Sequence, residues 1–172
     1  SVRPAEPGQK ITARIAELGL EYTPTGTPVQ FWALGGHGPG VPVRAAIGSF
    51  GPQLLAKVLD ANDTQTSSLS LVFHYADEKE LPLLDLVDLQ DLLRHLTSDE
   101  GREELASIGG LSRQTAGVLL RKLVELEQQD AEQFFGEPEV SLDHLMRTDA
   151  EGRGIVNCLE LPGVQDKPAL FS

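Results

Sequence analysis

From Phe50 to Gln129 the apolar residues recur at steps of three and four, and this constrains the fold more than any other feature of the chain. Such spacing lays an apolar stripe along each helix, and every stripe must be buried against another element. Pro52 suits the first turn of a helix, where its missing N–H has no intrahelical partner, and Leu54, Leu55, Val58 and Leu59 form the stripe. Asn62 and Asp63 end that helix and cap a second, running to about Lys79 with Leu69, Val72, Phe73 and Ala76 on one face. Asp85 caps a third, carrying Leu86, Leu89, Leu92, Leu93 and Leu96, and Ser98 caps a short one to about Ile108. Ser112 begins the longest helix, to about Gln129, with Ala116, Leu119, Leu120, Leu123 and Leu126 as its stripe. Leu111, just before that cap, is placed to staple onto Ala116.

Strand-like segments flank this helical block. Residues 1–10 read as a linker, and a short helix is expected from about Gln9 to Glu17, stopped at Gly19. Val29–Leu34 is β-branched and aromatic and reads as a strand, with a second around Val41 to Ile47. The glycine-rich run Gly35-Gly36-His37-Gly38-Pro39-Gly40 between them predicts a β-hairpin. After Phe134-Phe135-Gly136 the chain turns at Glu137-Pro138, and a short helix covers Leu142 to Met146. Ile155 to Leu161 then reads as a buried strand. The expected class is α+β and predominantly helical, a helical bundle inserted between strands of a partial sheet. The chain then divides into three regions: linker, helix and hairpin over 1–48, the helical insertion over 49–147, and a loop with a final core strand over 148–172.

Composition sets limits on function. The 172 residues carry a formal charge of −12, and 40% are hydrophobic, enough for a packed core. Residues 1–50 are close to neutral, so the acidity belongs to the helical block and the C-terminal region. A surface of that sign repels phosphate backbones, so no tight nucleic-acid binding is expected of this chain alone. One cysteine excludes a disulfide framework and a zinc finger, and it favours a reducing, cytoplasmic setting. No apolar run approaches the roughly 18 residues of a membrane span, and no signal peptide is visible. The opening Ser1 and the interrupted apolar close at Ala169–Ser172 read as cuts within something larger.

Several constellations invite chemistry. The glycine-rich run lacks the Lys-Ser or Lys-Thr pair of a phosphate loop, and it leads into a strand where a helix is needed. Asp85, Asp88 and Asp91 step along one helix and read as a cap and its neighbours, favoured by the positive helix start, ahead of a cation site. None of His37, His74, His95 and His144 has a second His or Cys at ligand spacing. A packed or capping role is expected for His74, and Cys158 reads as a small buried hydrophobe. Ser141, Asp143 and His144 have the residue types of a hydrolase triad, but neighbours in one short helix cannot form its hydrogen-bond chain, so Ser141 reads as an N-cap. Arg147, Asp149 and Arg153 flank a loop leading into the last strand and are the candidate interface residues; the plain reading is an exposed loop with surface charges, the sharper one a pair of arginines facing a nucleotide or a neighbouring subunit. No catalytic, cofactor-binding or metal-binding residue is assigned.

Ser49-Phe50-Gly51-Pro52-Gln53-Leu54-Leu55, Asn62-Asp63-Thr64-Gln65, Phe134-Phe135-Gly136-Glu137-Pro138, Leu145 to Asn157 and Gln165-Asp166-Lys167-Pro168 occur in an order that resembles the bacterial HerA-like P-loop ATPases. The resemblance implies a parent protein with a RecA-like core that binds ATP and magnesium and forms a homo-oligomeric ring, with DNA as a possible partner. It also implies that the phosphate loop lies before this stretch and the acidic metal-binding strand after it. The chain then corresponds to a central, non-catalytic segment serving subunit or partner contacts. The competing expectation is a self-contained acidic helical module that docks a basic protein surface.

Overall fold

The computed structural model describes residues 3–106, 109–129 and 131–160. The elements run α1 (Gln9–Leu18), β1 (Val29–Leu34), β2 (Val41–Val43), α2 (Ile47–Phe50), α3 (Pro52–Val58), α4 (Asp63–Glu78), α5 (Leu86–Thr97), α6 (Arg102–Ala106), α7 (Arg113–Glu127), a 3-10 turn (Ala131–Gln133), α8 (Leu142–Leu145) and β3 (Val156–Glu160). The class is α+β, with the larger helices falling between β2 and β3 in chain order.

The sheet departs from expectation. Its order is β2-β1-β3 and both pairs are parallel, so β1 and β2 form no hairpin. Parallel neighbours ordinarily need a crossover of about a dozen residues, and here residues 35–40 suffice. Glycine makes the short return possible: Gly35, Gly36 and Gly38 adopt φ of 67°, 75° and 124°, conformations that L side chains resist. A Cβ on Gly40 would stand 2.7 Å from the Trp32 carbonyl carbon, so the returning chain lies directly on β1. The second strand also ends early. β2 stops at Val43, and Ile47 starts α2.

Side-chain and backbone caps set the helix boundaries. The Asn62 side chain accepts from Gln65 N–H while Gln65 reaches back to Asn62 N–H, and Asp85 and Asp88 repeat the exchange at α5. Ser112 accepts from Thr115 N–H at the start of α7. Lys122 donates to the Leu59 and Asp60 carbonyls at 2.7 and 2.8 Å, satisfying acceptors left open at the end of α3. Ser98 serves a bend between α5 and α6, so α6 starts at Arg102. The expected end of α6 at Ile108 lies outside the described residues. At 16 residues α4, not the 15-residue α7, is the longest helix.

The core joins α3, α4, α5 and α7 through Leu55, Leu69, Val72, Leu89, Leu93, Leu96, Leu119 and Leu123, with Ile47 and Phe135 closing one end. Phe50 meets Phe135 edge to face at 5.4 Å. Some stripe positions face outward: Leu54 is 50% exposed, and α1 buries no residue at all. His74 is exposed beside Glu78, neither packed nor capping.

The sheet is the least covered layer. β3 is not the buried strand its sequence suggests: Val156 and Leu159 are exposed, Cys158 is half-buried, and Leu161 lies outside the described residues. Phe31 on β1 is also exposed, although its neighbours Trp32 and Ala33 are buried, because the bundle packs mainly on itself and covers the sheet only in part.

Candidate functional site

The candidate loop lies between α8 and β3. Ser141 caps α8, its Oγ accepting from His144 N–H at 3.3 Å and lying 2.9 Å from His144 Nδ1. This serine–histidine contact completes a helix start. Asp143 has no part in it, so no proton relay is assembled.

Residues 147–155 then fold into a tight hairpin. Asp149 N–H donates to the Arg153 carbonyl at 2.9 Å, Ile155 N–H donates to Arg147 O, and Thr148 bridges antiparallel to Gly154. Gly152 turns the chain at φ 78°, donating its N–H to Asp149 O. The Asp149 carboxylate organises the turn. Its Oδ1 accepts from the N–H groups of Glu151 and Arg153 at 3.1 and 2.8 Å, and its Oδ2 accepts from Arg153 Nε at 2.8 Å. The Arg153 guanidinium also reaches Glu151 Oε2 at 3.0 Å and the Gly26 carbonyl at 3.1 Å, tying the turn to the segment before β1. Partial burial pushes the Asp149 carboxyl up. The backbone and guanidinium donors of Arg153, its charge and the Glu151 N–H outweigh that and hold the group below the ordinary carboxylate range. Arg153, bonded to Asp149 against some loss of solvent, is pushed up.

The structure therefore brings Asp149 and Arg153 together and leaves Arg147 apart. Arg147 Nε donates to the His144 carbonyl at 3.2 Å, and the residue is exposed. Of the three, Arg147 alone presents its charge without an oppositely charged partner among the described residues.

Two polar residues that the sequence pattern passed over hold this region. Asn157 accepts from Trp32 Nε1 at 2.8 Å and donates to the Leu145 carbonyl at 2.8 Å, joining β1, β3 and the end of α8. Glu139 accepts from Ser49 Oγ at 3.0 Å and from Ala46 N–H, fixing the chain after the helical core to the start of α2. The available signal for Asn157 is a lone amide in an otherwise apolar run.

The glycine-rich loop does not form a phosphate cradle. It runs into β2 and does not open a helix, and His37 Nε2 is hydrogen-bonded to Gln133 Oε1. Asp85 and Asp88 are engaged in capping, and Asp91 pairs with Arg94 at 2.6 Å. Among the described residues no cluster of His, Cys, Asp or Glu has the arrangement of a metal site, and no helix is long and apolar enough to cross a membrane.

No curated protein and no solved structure matches this chain. The helical core from Ser49 onward and the Arg147–Asn157 hairpin both fall within one family match, which spans residues 2–172. The chain belongs to the helicase HerA-like C-terminal family.

Proposed function

We propose that this chain is a contact-making portion of a HerA-type ATPase whose whole protein couples ATP hydrolysis to moving or remodelling DNA. The family match over residues 2–172 carries the reading. ATP and magnesium are held by residues outside this chain, since the sequence contains no Lys-Ser or Lys-Thr phosphate loop and its glycine run leads into a strand.

The sheet supports the same reading. All-parallel sheets occur almost only where both faces are covered, yet Phe31, Val41, Val156 and Leu159 are each more than 40% exposed. The three strands are part of a larger RecA-like layer, and residues 49–147 form a subdomain inserted at its edge. In the assembled ring Arg147 meets a neighbouring subunit, while Asp149 and Arg153 hold the loop that presents it.

Two measurements test this. Mg-ATP leaves the melting temperature of this chain unchanged within about 1 °C, whereas a shift of several degrees places a nucleotide site in it and overturns the division of labour. In the whole protein, Arg147→Glu lowers the ring fraction in light scattering and the DNA-stimulated ATPase rate, with an unchanged thermal melt. Wild-type assembly in that variant removes Arg147 from the interface.

A further inference from the structure

We propose that the groove along the outer side of α5 docks a basic amphipathic helix of another protein. The groove has a volume of about 710 Å³, and its apolar lining comes from Leu81, Pro82, Leu83, Leu92 and Tyr75. Leu81 forms its exposed apolar lip, 44% accessible to solvent. The groove lies over the bundle's own closed core, so the partly covered sheet does not account for its exposure.

Charge selects the partner. Between Asp77 and Arg94 the chain carries Asp77, Glu78, Glu80, Asp85, Asp88 and Asp91 against Lys79 and Arg94, the latter paired with Asp91 at 2.6 Å. The lysine at the groove is already engaged, Lys79 lying over the Tyr75 ring at 5.7 Å, and His95 stands 3.6 Å from Glu104. The surrounding field is negative, so it attracts Lys and Arg and repels nucleic acid and anionic lipid. Shape selects a helix: Asp88 to His95 of α5 give the groove an edge of about 11 Å, the length over which a partner helix sets anchors at i, i+4 and i+7. This docking does not depend on the ATPase reading.

The test uses a fluorescent 14-residue Leu/Lys amphipathic peptide and its Leu/Glu twin, titrated with the chain and followed by anisotropy. The Leu/Lys peptide binds one to one with a Kd of tens of micromolar, on the order of −6 kcal/mol, and the Leu/Glu twin does not bind. Leu81→Asp is the discriminating variant. It adds a negative charge, so mere attraction to an acidic surface strengthens, while docking in the groove weakens by about tenfold. Leu81→Ser weakens it too without changing charge, and it decides the matter if circular dichroism shows Leu81→Asp unfolded. Leu142→Asp, on exposed α8, leaves groove binding unchanged. Equal or tighter binding by folded Leu81→Asp, unchanged binding by Leu81→Ser, or more than one peptide per chain overturns the proposal.

Discussion

Single residues set two features of this molecule that local pattern alone does not reveal. Gly40 is one, because its Cα rests on the β1 backbone where a Cβ would meet Trp32 at 2.7 Å. Gly40→Ala forces the return loop off β1 and costs about 1–3 kcal/mol in urea unfolding, as overpacking does. Gly8→Ala, with open space around the added Cβ, changes stability little. The second feature is the bond from Tyr75 Oη to Glu104 Oε2, with His95 on the other carboxylate oxygen. The Tyr75 hydrogen bond, helped by His95 and Lys79, holds Glu104 below its usual 4.5 despite some desolvation. Hydrogen bonding to Glu104, burial and the carboxylate charge hold Tyr75 above its usual 10.0. The signs fix a window. The Glu104 contribution is present above the unfolded carboxyl value and lost as pH falls through the lower folded one. The Tyr75 contribution is present below its unfolded value and lost as pH rises through the higher folded one. Tyr75→Phe therefore flattens both limbs of the stability profile, and a carbon-detected titration of Glu104 returns toward 4.5. An unmoved Glu104 titration rules out the tyrosine as the cause.

At the scale of elements, burial separates helices that look alike in sequence. Leu123 on α7 is fully buried against α4 and α5, so Leu123→Ala costs about 2–5 kcal/mol. Leu54, equally apolar and equally part of a sequence stripe, is half-exposed, and Leu54→Ala stays within about 0.5 kcal/mol. Chemical denaturation of the two variants side by side measures the contrast. Helix starts were legible from Asn62, Asp85, Ser112 and Ser141, because a cap is a contact between residues two or three apart. Strand direction was not. Gly35–Gly40 has the composition of a hairpin turn, and only the path of its backbone over β1 makes the pair parallel. Of the candidate loop, the residue types were legible. The division between an ion-paired Asp149–Arg153 and an Arg147 with no acidic partner among the described residues was not, because it depends on how residues 147–155 fold back.

Over the whole molecule, a well-closed helical bundle carries a sheet that is only partly covered. The bundle has its own core, whereas β1 and β3 leave Phe31, Val156 and Leu159 at the surface. An exposed apolar area of that kind marks an interaction surface. The double variant Phe31→Ser, Leu159→Ser lowers binding of an anilinonaphthalene dye several-fold with little loss of helical circular dichroism. A dye signal that persists places the exposed apolar surface elsewhere.

By itself the sequence determined the helix periods, the caps, the acidic charge of the helical block and the absence of a phosphate-loop lysine pair. Each of these depends on composition or on neighbours within about four residues. Tertiary structure alone decided that β1 lies between two parallel partners, that Asn157 binds Trp32 across 125 positions of chain, and which apolar stripes are covered. Those outcomes depend on which distant segments share a volume. An apolar stripe must find cover, but the stripe does not specify the element that covers it.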